Sequence, residues 1–160
     1  MTGCCDSVDY DLGLFLTNSG VPPSKLGIGL AFFGDLATGQ VVPNSAYRTP
    51  TFTERNYNYV LSHYDVSGAT IDPSAQVPWI SVSSNSWLNW DNPQSIEAKV
   101  AYAKSKNIGG WAIWYLGMDD FPAATPPQPL LNAVKLGMQL GPAPPTNLKV
   151  IVNIKSGTVY

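Results

Sequence analysis

One uncharged run constrains this chain more than any other stretch. Gly109 to Phe121 reads Gly-Gly-Trp-Ala-Ile-Trp-Tyr-Leu-Gly-Met-Asp-Asp-Phe: a glycine pair, an apolar segment with two tryptophans, and two aspartates where it stops. Trp111 to Gly117 carries no charge, the pattern of a parallel-sheet strand covered on both faces. Acids that follow such a strand fall at its C-terminal end, where α/β folds place their chemistry.

The flanking chain supports an α/β reading. Asp6 to Ser19 is predicted helical, capped by Asp6 or Ser7, with Val8, Leu12, Phe15 and Leu16 as its stripe. Asn18-Ser19-Gly20 and Val21-Pro22-Pro23 end it. Leu26 to Phe33 follows as a strand, with small Gly27, Gly29 and Ala31 on one side. Asp35 to Asn92 interrupts this rhythm and is too long for an unstructured loop. It is expected to hold one helix around Phe52 to Ser62 and short strands, Gln76 to Val82 the clearest. Asp91-Asn92-Pro93 then opens a helix with Ile96, Val100 and Ala103 buried and Lys99, Lys104 and Lys106 in water. A last helix, Leu130 to Leu140, shows Leu130, Val134 and Met138 on one face. Residues 142–147 read as a proline-rich linker, and residues 148–160 as the start of a further β domain.

Composition excludes several functions. Charged residues make up only 12% of the 160, the net charge is −2, and no Lys/Arg cluster offers a footprint for phosphate backbones. Nothing approaches the ~18–20 apolar residues of a membrane span, and residues 1–6 do not resemble a signal peptide. Cys4 and Cys5, the only cysteines, make no metal-ligand spacing and cannot readily bridge each other. No metal or cofactor is expected, and no nucleic-acid or membrane partner. A surface rich in neutral polar residues suits an extracellular protein with a neutral polar ligand.

Several blocks resemble one family in consistent order. Ser7-Val8-Asp9-Tyr10 leads into Ser19-Gly20-Val21-Pro22-Pro23-Ser24-Lys25-Leu26-Gly27-Ile28-Gly29-Leu30-Ala31-Phe32-Phe33-Gly34. Asn89-Trp90-Asp91-Asn92-Pro93-Gln94-Ser95-Ile96 follows, and then Gly109-Gly110-Trp111-Ala112-Ile113-Trp114 through Met118-Asp119-Asp120-Phe121. These resemble glycoside hydrolase family 18, the chitinases, with Phe52-Thr53-Glu54 and Val77-Pro78-Trp79 similar to marks in that family's α+β insertion. The tail from Pro144 is similar, on thinner grounds, to the opening of a fibronectin type III module.

The resemblance implies a partial (β/α)8 TIM barrel within residues 1–141, its last two strands and last three helices, with a small α+β insertion over residues 35–92. It implies retaining cleavage of chitin, the β-1,4-linked N-acetylglucosamine polymer. The sugar's acetamido oxygen is then the nucleophile, and one glutamate the general acid and base. That glutamate closes an Asp-x-x-Asp-x-Asp-x-Glu motif. Only Asp6-Ser7-Val8-Asp9-Tyr10-Asp11-Leu12-Gly13 mimics it here, and Gly13 cannot transfer a proton, so no catalytic residue is expected in this chain. An acidic first helical turn is the simpler reading.

By resemblance Trp114 is the floor of the subsite for the reacting sugar, its flat face packing the pyranose C–H side. Glu54, Trp79 and Phe33 are the other candidate substrate-binding residues, Phe33 standing where the family has tyrosine. Trp111 is expected to face the flanking helices, while Trp87 and Trp90 are candidates for either a sugar cleft or the insertion's own packing. Asp119 and Asp120 are expected to order the strand end, with Gly117 in place of a common family aspartate, and His63 to be a surface residue.

A full barrel of this kind takes ~250 residues. The chain is therefore expected to be the C-terminal part of a secreted chitinase, truncated at both ends and partnered by a missing N-terminal half. A non-catalytic chitinase-like lectin and a nonfunctional fragment are the alternatives.

Overall fold

The computed structural model describes residues 7–39, 42–43, 50–121 and 127–139. Cys4, Cys5, the expected linker and the expected further β domain lie outside the described residues.

Helix α1 spans Val8–Asn18 and is capped by Ser7, whose side chain accepts from the Tyr10 amide at 3.1 Å. Strand β1, Gly27–Ala31, pairs in parallel with β7, Gly110–Trp114, aligning Ile28 with Trp111, Leu30 with Ile113 and Ala31 with Trp114. Gly109 admits this approach, because a Cβ there would lie 2.0 Å from the Ser24 carbonyl oxygen. Helix α3, Pro93–Ser105, covers one face of the pair with Ile96, Val100 and Ala103. Helix α4, Pro129–Gln139, packs on α3 through Leu130, Ala133, Val134 and Gly137. A Cβ at Gly137 would lie 2.8 Å from Val100 Cγ1, so glycine sets how closely the two helices meet.

At Phe32 the chain leaves the parallel pair and enters a second sheet. Strands β2 (Phe33–Thr38), β3 (Thr51–Asn56), β4 (Thr70–Ile71), β5 (Pro78–Ser83) and β6 (Ser86–Trp90) pair antiparallel in the order β3-β2-β6-β5-β4. The single helix α2, Tyr57–His63, packs against β2 and β3. Alternation along these strands turns Leu36, Ile80, Leu88 and Trp90 toward the core shared with β1, α3 and α4. Their opposite neighbours form an outer face.

Four expectations need correction. Thr51 to Asn56 is a strand rather than helix, because six consecutive pairings with β2 outweigh its mixed propensity. Met138 is 41% exposed; the contact stripe runs through Gly137 instead, one position off the sequence pattern. Lys99 and Lys104 are not simply solvated. Lys99 pairs with buried Asp91 at 2.5 Å, and Lys104 donates to the Gly137 and Met138 carbonyls at the end of α4. Finally, β7 is covered on one face only, since Ala112 and Trp114 are exposed. The second face stays open because, among the described residues, this sheet has two strands.

Candidate functional site

The open face of the β1–β7 pair carries Gly27, Gly29, Ala31, Gly110, Ala112 and Trp114, by the alternation that sends Ile28, Leu30, Trp111 and Ile113 inward. A shallow groove runs over its small residues. Trp114 stands at the C-terminal end, 66% exposed. Its carbonyl accepts from the Phe32 amide at 2.9 Å, fixing the strand end against the crossover into β2. The Trp114–Tyr115 peptide bond is cis, and the Tyr115 ring packs edge-on against the indole, centroids 6.4 Å apart. Tyr115 also lies over Gly117, where a Cβ would come within 2.7 Å of its ring. Trp111 is half-buried against the core, as the strand alternation predicts.

The first of the two aspartates after the strand holds structure together. Asp119 is 1% exposed. Its carboxylate accepts from the amides of Asp120 at 2.8 Å, Leu130 at 3.2 Å and Leu131 at 2.9 Å. It thereby closes the loop and caps α4. The negative charge of this pair reaches Tyr57 at the start of α2. Burial, followed by Asp119 and Asp120, pushes the Tyr57 phenol up to about 12.

In the acid-rich stretch near the N-terminus the described acids sit on a helix. Asp9 and Asp11 lie in the first turn of α1 and are exposed, and Asp9 accepts from the Tyr102 hydroxyl of α3. Gly13 follows on the same helix.

The remaining candidates fall on the five-stranded sheet. Antiparallel register places Glu54 opposite Asp35, Asp35 opposite Asn89, and Asn89 opposite Trp79. Directly opposed side chains share a face about 4.5–5.5 Å apart at Cβ, so Glu54 and Trp79 belong to one row on the outer face. Phe33, two residues before Asp35, is half-buried and packs against the core beside the crossover from Trp114. Trp87 lies on the outer face as well, 7% exposed, in a row with Phe52, Ala37 and Ser81. Trp90 does not, being buried on the core side. His63 ends α2 on the surface, stacked on Tyr59 with ring centroids 3.7 Å apart.

Asp35 and Asn89 are the residues that sequence reasoning does not single out. The Asn89 side-chain oxygen accepts from the Asp35 amide at 3.2 Å. The Asp35 carboxyl is raised above the usual carboxylate range, first by burial and then by Glu54. Only cross-strand register reveals the pair, since Asp35 and Glu54 stand 19 positions apart in the sequence. Among the described residues no group of His, Cys, Asp and Glu is arranged to hold a metal ion.

Comparison with known proteins brings these observations together. The model of "Glycosyl hydrolases family 18" matches residues 6–119. Chitinase-3-like protein 2 of Homo sapiens is 31% identical over 145 residues, covering 81% of this chain and 36% of its own length. The structure of a group IV chitinase from Ostrinia furnacalis superposes with a TM-score of 0.68 at 26% identity, over 82% of this chain and 40% of that one. Human YKL-39, a pseudo-chitinase with retained chitooligosaccharide binding properties, superposes with a TM-score of 0.66 at 27% identity, over 82% and 40%. The chain spans 25% to 36% of the length of these curated relatives.

Proposed function

This chain belongs to glycosyl hydrolase family 18, and from that membership we propose that it forms the aromatic, sugar-holding side of a cleft for β-1,4-linked N-acetylglucosamine oligosaccharides. The observation that carries this reading is Trp114, a large apolar side chain left 66% exposed at a strand's C-terminal end. An indole there offers the apolar face of a pyranose a flat partner. In this proposal Phe33 borders the same cleft, and Glu54 and Trp79 contact further sugars from the outer face of the five-stranded sheet.

The chain brings no proton donor of its own. Gly13 occupies the place of the family glutamate in the only stretch that mimics the catalytic motif, and from Val8 onward that stretch is helical. In the same reading, α1, α3, α4 and the β1–β7 pair are the closing part of a (β/α)8 barrel. Hydrolysis then requires the acid from a separate N-terminal half, and the working place is extracellular. Among the described residues no helix is long and apolar enough to cross a membrane. A second reading, a chitinase-like lectin that binds without cleaving, is favoured by the likeness to YKL-39.

Titration calorimetry with a fully acetylated chitotetraose tests the reading. The chain is expected to bind without hydrolysing it, and Trp114→Ala to weaken binding at least tenfold, roughly one stacking contact. A melting temperature unchanged by the substitution would show that the loss is local. Cleavage by the chain alone, or equal binding by the variant, would overturn it. An in-frame Asp-x-x-Asp-x-Asp-x-Glu in the DNA upstream of Met1 would separate the enzyme reading from the lectin.

A further inference from the structure

The β7 side of the two-stranded sheet is less finished than the β1 side. Ile28 and Leu30 of β1 are 5% and 0% exposed, whereas Trp111 and Ile113, their partners on β7, face the same core and stay half-buried. Among the described residues the far edge of β7 has no partner strand. Gly110 to Trp114 also carries no charge and no proline, the devices by which natural sheets protect an edge that stays in water. The helix that follows has apolar surface to spare, since Leu136 and Met138 of α4 are both exposed. An open row of backbone donors and acceptors with no such protection calls for a strand.

The winding of the chain fixes where such a strand would come from. Helix α4 begins at the C-terminal end of β7, where Asp119 caps it, and joins the core beside α3 through Leu130, Ala133 and Val134. Its last turn returns to the N-terminal end of the strands. There Lys104, near the end of α3, donates to the Gly137 and Met138 carbonyls, and β7 starts six residues later at Gly110. A strand that follows a helix of this kind runs parallel to the strand before it, and such connections keep one hand. Strand β1 already holds one edge of β7, so only the far edge is left.

Residues 148–154, Leu-Lys-Val-Ile-Val-Asn-Ile, have the sequence for that place. Leu148, Val150, Val152 and Ile154 alternate with Lys149, Ile151 and Asn153. Alternation would put the four apolar residues on the side of Trp111 and Ile113, and the lysine and asparagine on the open side. No proline interrupts the segment, so every residue brings an N–H to a ladder. Leu140 to Asn147, eight residues with three prolines, can reach ~25 Å in extended form. The step between packed layers is only ~10 Å.

We propose that residues 148–154 add to the free edge of β7 as a third parallel strand. The C-terminal segment then belongs to this sheet instead of opening a further domain, and the chain covers its own edge. This strand touches the edge of β7 and not its open face, so it stands whatever ligand Trp114 meets. In the barrel reading, a separate N-terminal half would have to displace it to reach β7.

Thiol cross-linking on the full chain, with Cys4 and Cys5 replaced by serine, tests this. Ala112→Cys is combined in turn with Lys149→Cys, Ile151→Cys or Asn153→Cys, all on the open side, and treated with a short bifunctional maleimide. One of the three is expected to cross-link within a monomer about tenfold faster than Ala112→Cys with Val152→Cys, which faces the other way. In the otherwise unaltered chain, the Val150→Asp, Val152→Asp double variant should speed hydrogen exchange across Gly110–Trp114 about tenfold and leave Ser86–Trp90 unchanged. Cross-links between two chains would give the edge to a second copy. Equal rates for all pairs, or β7 exchange unmoved by the aspartates, would leave the edge uncovered. Either result would overturn the inference.

Discussion

Replacing Asp119 by alanine is the sharpest test of how the site's frame is held. The first turn of α4 has few amide donors to satisfy. Pro129 has none, the Asn132 amide goes to the Gln128 carbonyl at 3.0 Å, and those of Leu130 and Leu131 both end on the Asp119 carboxylate. Leu130 is fully buried and Asp119 is 1% exposed, so water is poorly placed to substitute. Two donors stranded at about 1–3 kcal/mol each, with a helix cap and its favourable charge removed, give a loss of roughly 3–5 kcal/mol. For a chain of this size that corresponds to a fall in Tm of about 6–20 °C. Asp119→Asn keeps one acceptor oxygen and should recover about half. Urea unfolding followed by tryptophan fluorescence and far-ultraviolet circular dichroism would measure both variants. A loss below ~1 kcal/mol for the alanine variant would refute the capping role and reopen a part for Asp119 in the chemistry.

Three further outcomes follow from the same structure. Gly34→Ala places a Cβ 2.1 Å from the Asn89 carbonyl oxygen and 2.6 Å from Trp90 Cβ; it should cost about 1–3 kcal/mol in urea unfolding, because both obstacles are tied to backbone. Tyr57 and Tyr102 are each raised to about 12, chiefly by burial. The folded chain therefore keeps protons that the unfolded chain releases above pH 10, so stability is full below pH 10 and drains as pH rises toward 12; Tm measured across that window should show the decline, and Tyr57→Phe should lessen its slope. Asp91 is 4% exposed and accepts from Ser95 at 2.6 Å and Lys99 at 2.5 Å. Lys99→Met, which leaves that carboxylate without its cation, should therefore destabilise by about 1–3 kcal/mol in thermal melts, discounted for the partial exposure of the lysine.

The helical and parallel-strand parts of the fold were legible in the sequence because their signals are local. Ser7 and Asn92 announce caps, Ile96, Val100 and Ala103 recur at helical spacing, and the uncharged run from Trp111 needs no partner to be recognised. The five-stranded sheet was not legible in the same way. Thr51 to Asn56 carries Thr, Phe, Glu and Arg in an order compatible with helix or strand, and pairing with β2 decides it. The row Glu54, Asp35, Asn89 and Trp79 joins positions drawn from four strands, which no spacing along one strand reveals. Trp87 and Trp90 illustrate the same limit. They are three residues apart and similarly buried, yet they belong to opposite faces.

The exposure of Trp114 has two competing explanations, and its neighbours separate them. A strand with few partners leaves any outward side chain bare, so exposure alone says little. However, the open face is small at every other position: Gly27, Gly29, Ala31, Gly110 and Ala112. A closed barrel interior packed by side chains alone favours bulky branched residues in layers. A face of glycine and alanine leaves that space unfilled and raises one indole at its C-terminal rim, next to the Phe32 crossover. Trp111, of the same residue type on the same strand, turns inward and is half-buried against the core. The contrast between the two tryptophans is set by alternation, and the emptiness around Trp114 by residue choice. That residue choice is what supports the proposed role of the exposed indole as a surface for a ligand, against a core side chain left bare by an unpaired strand.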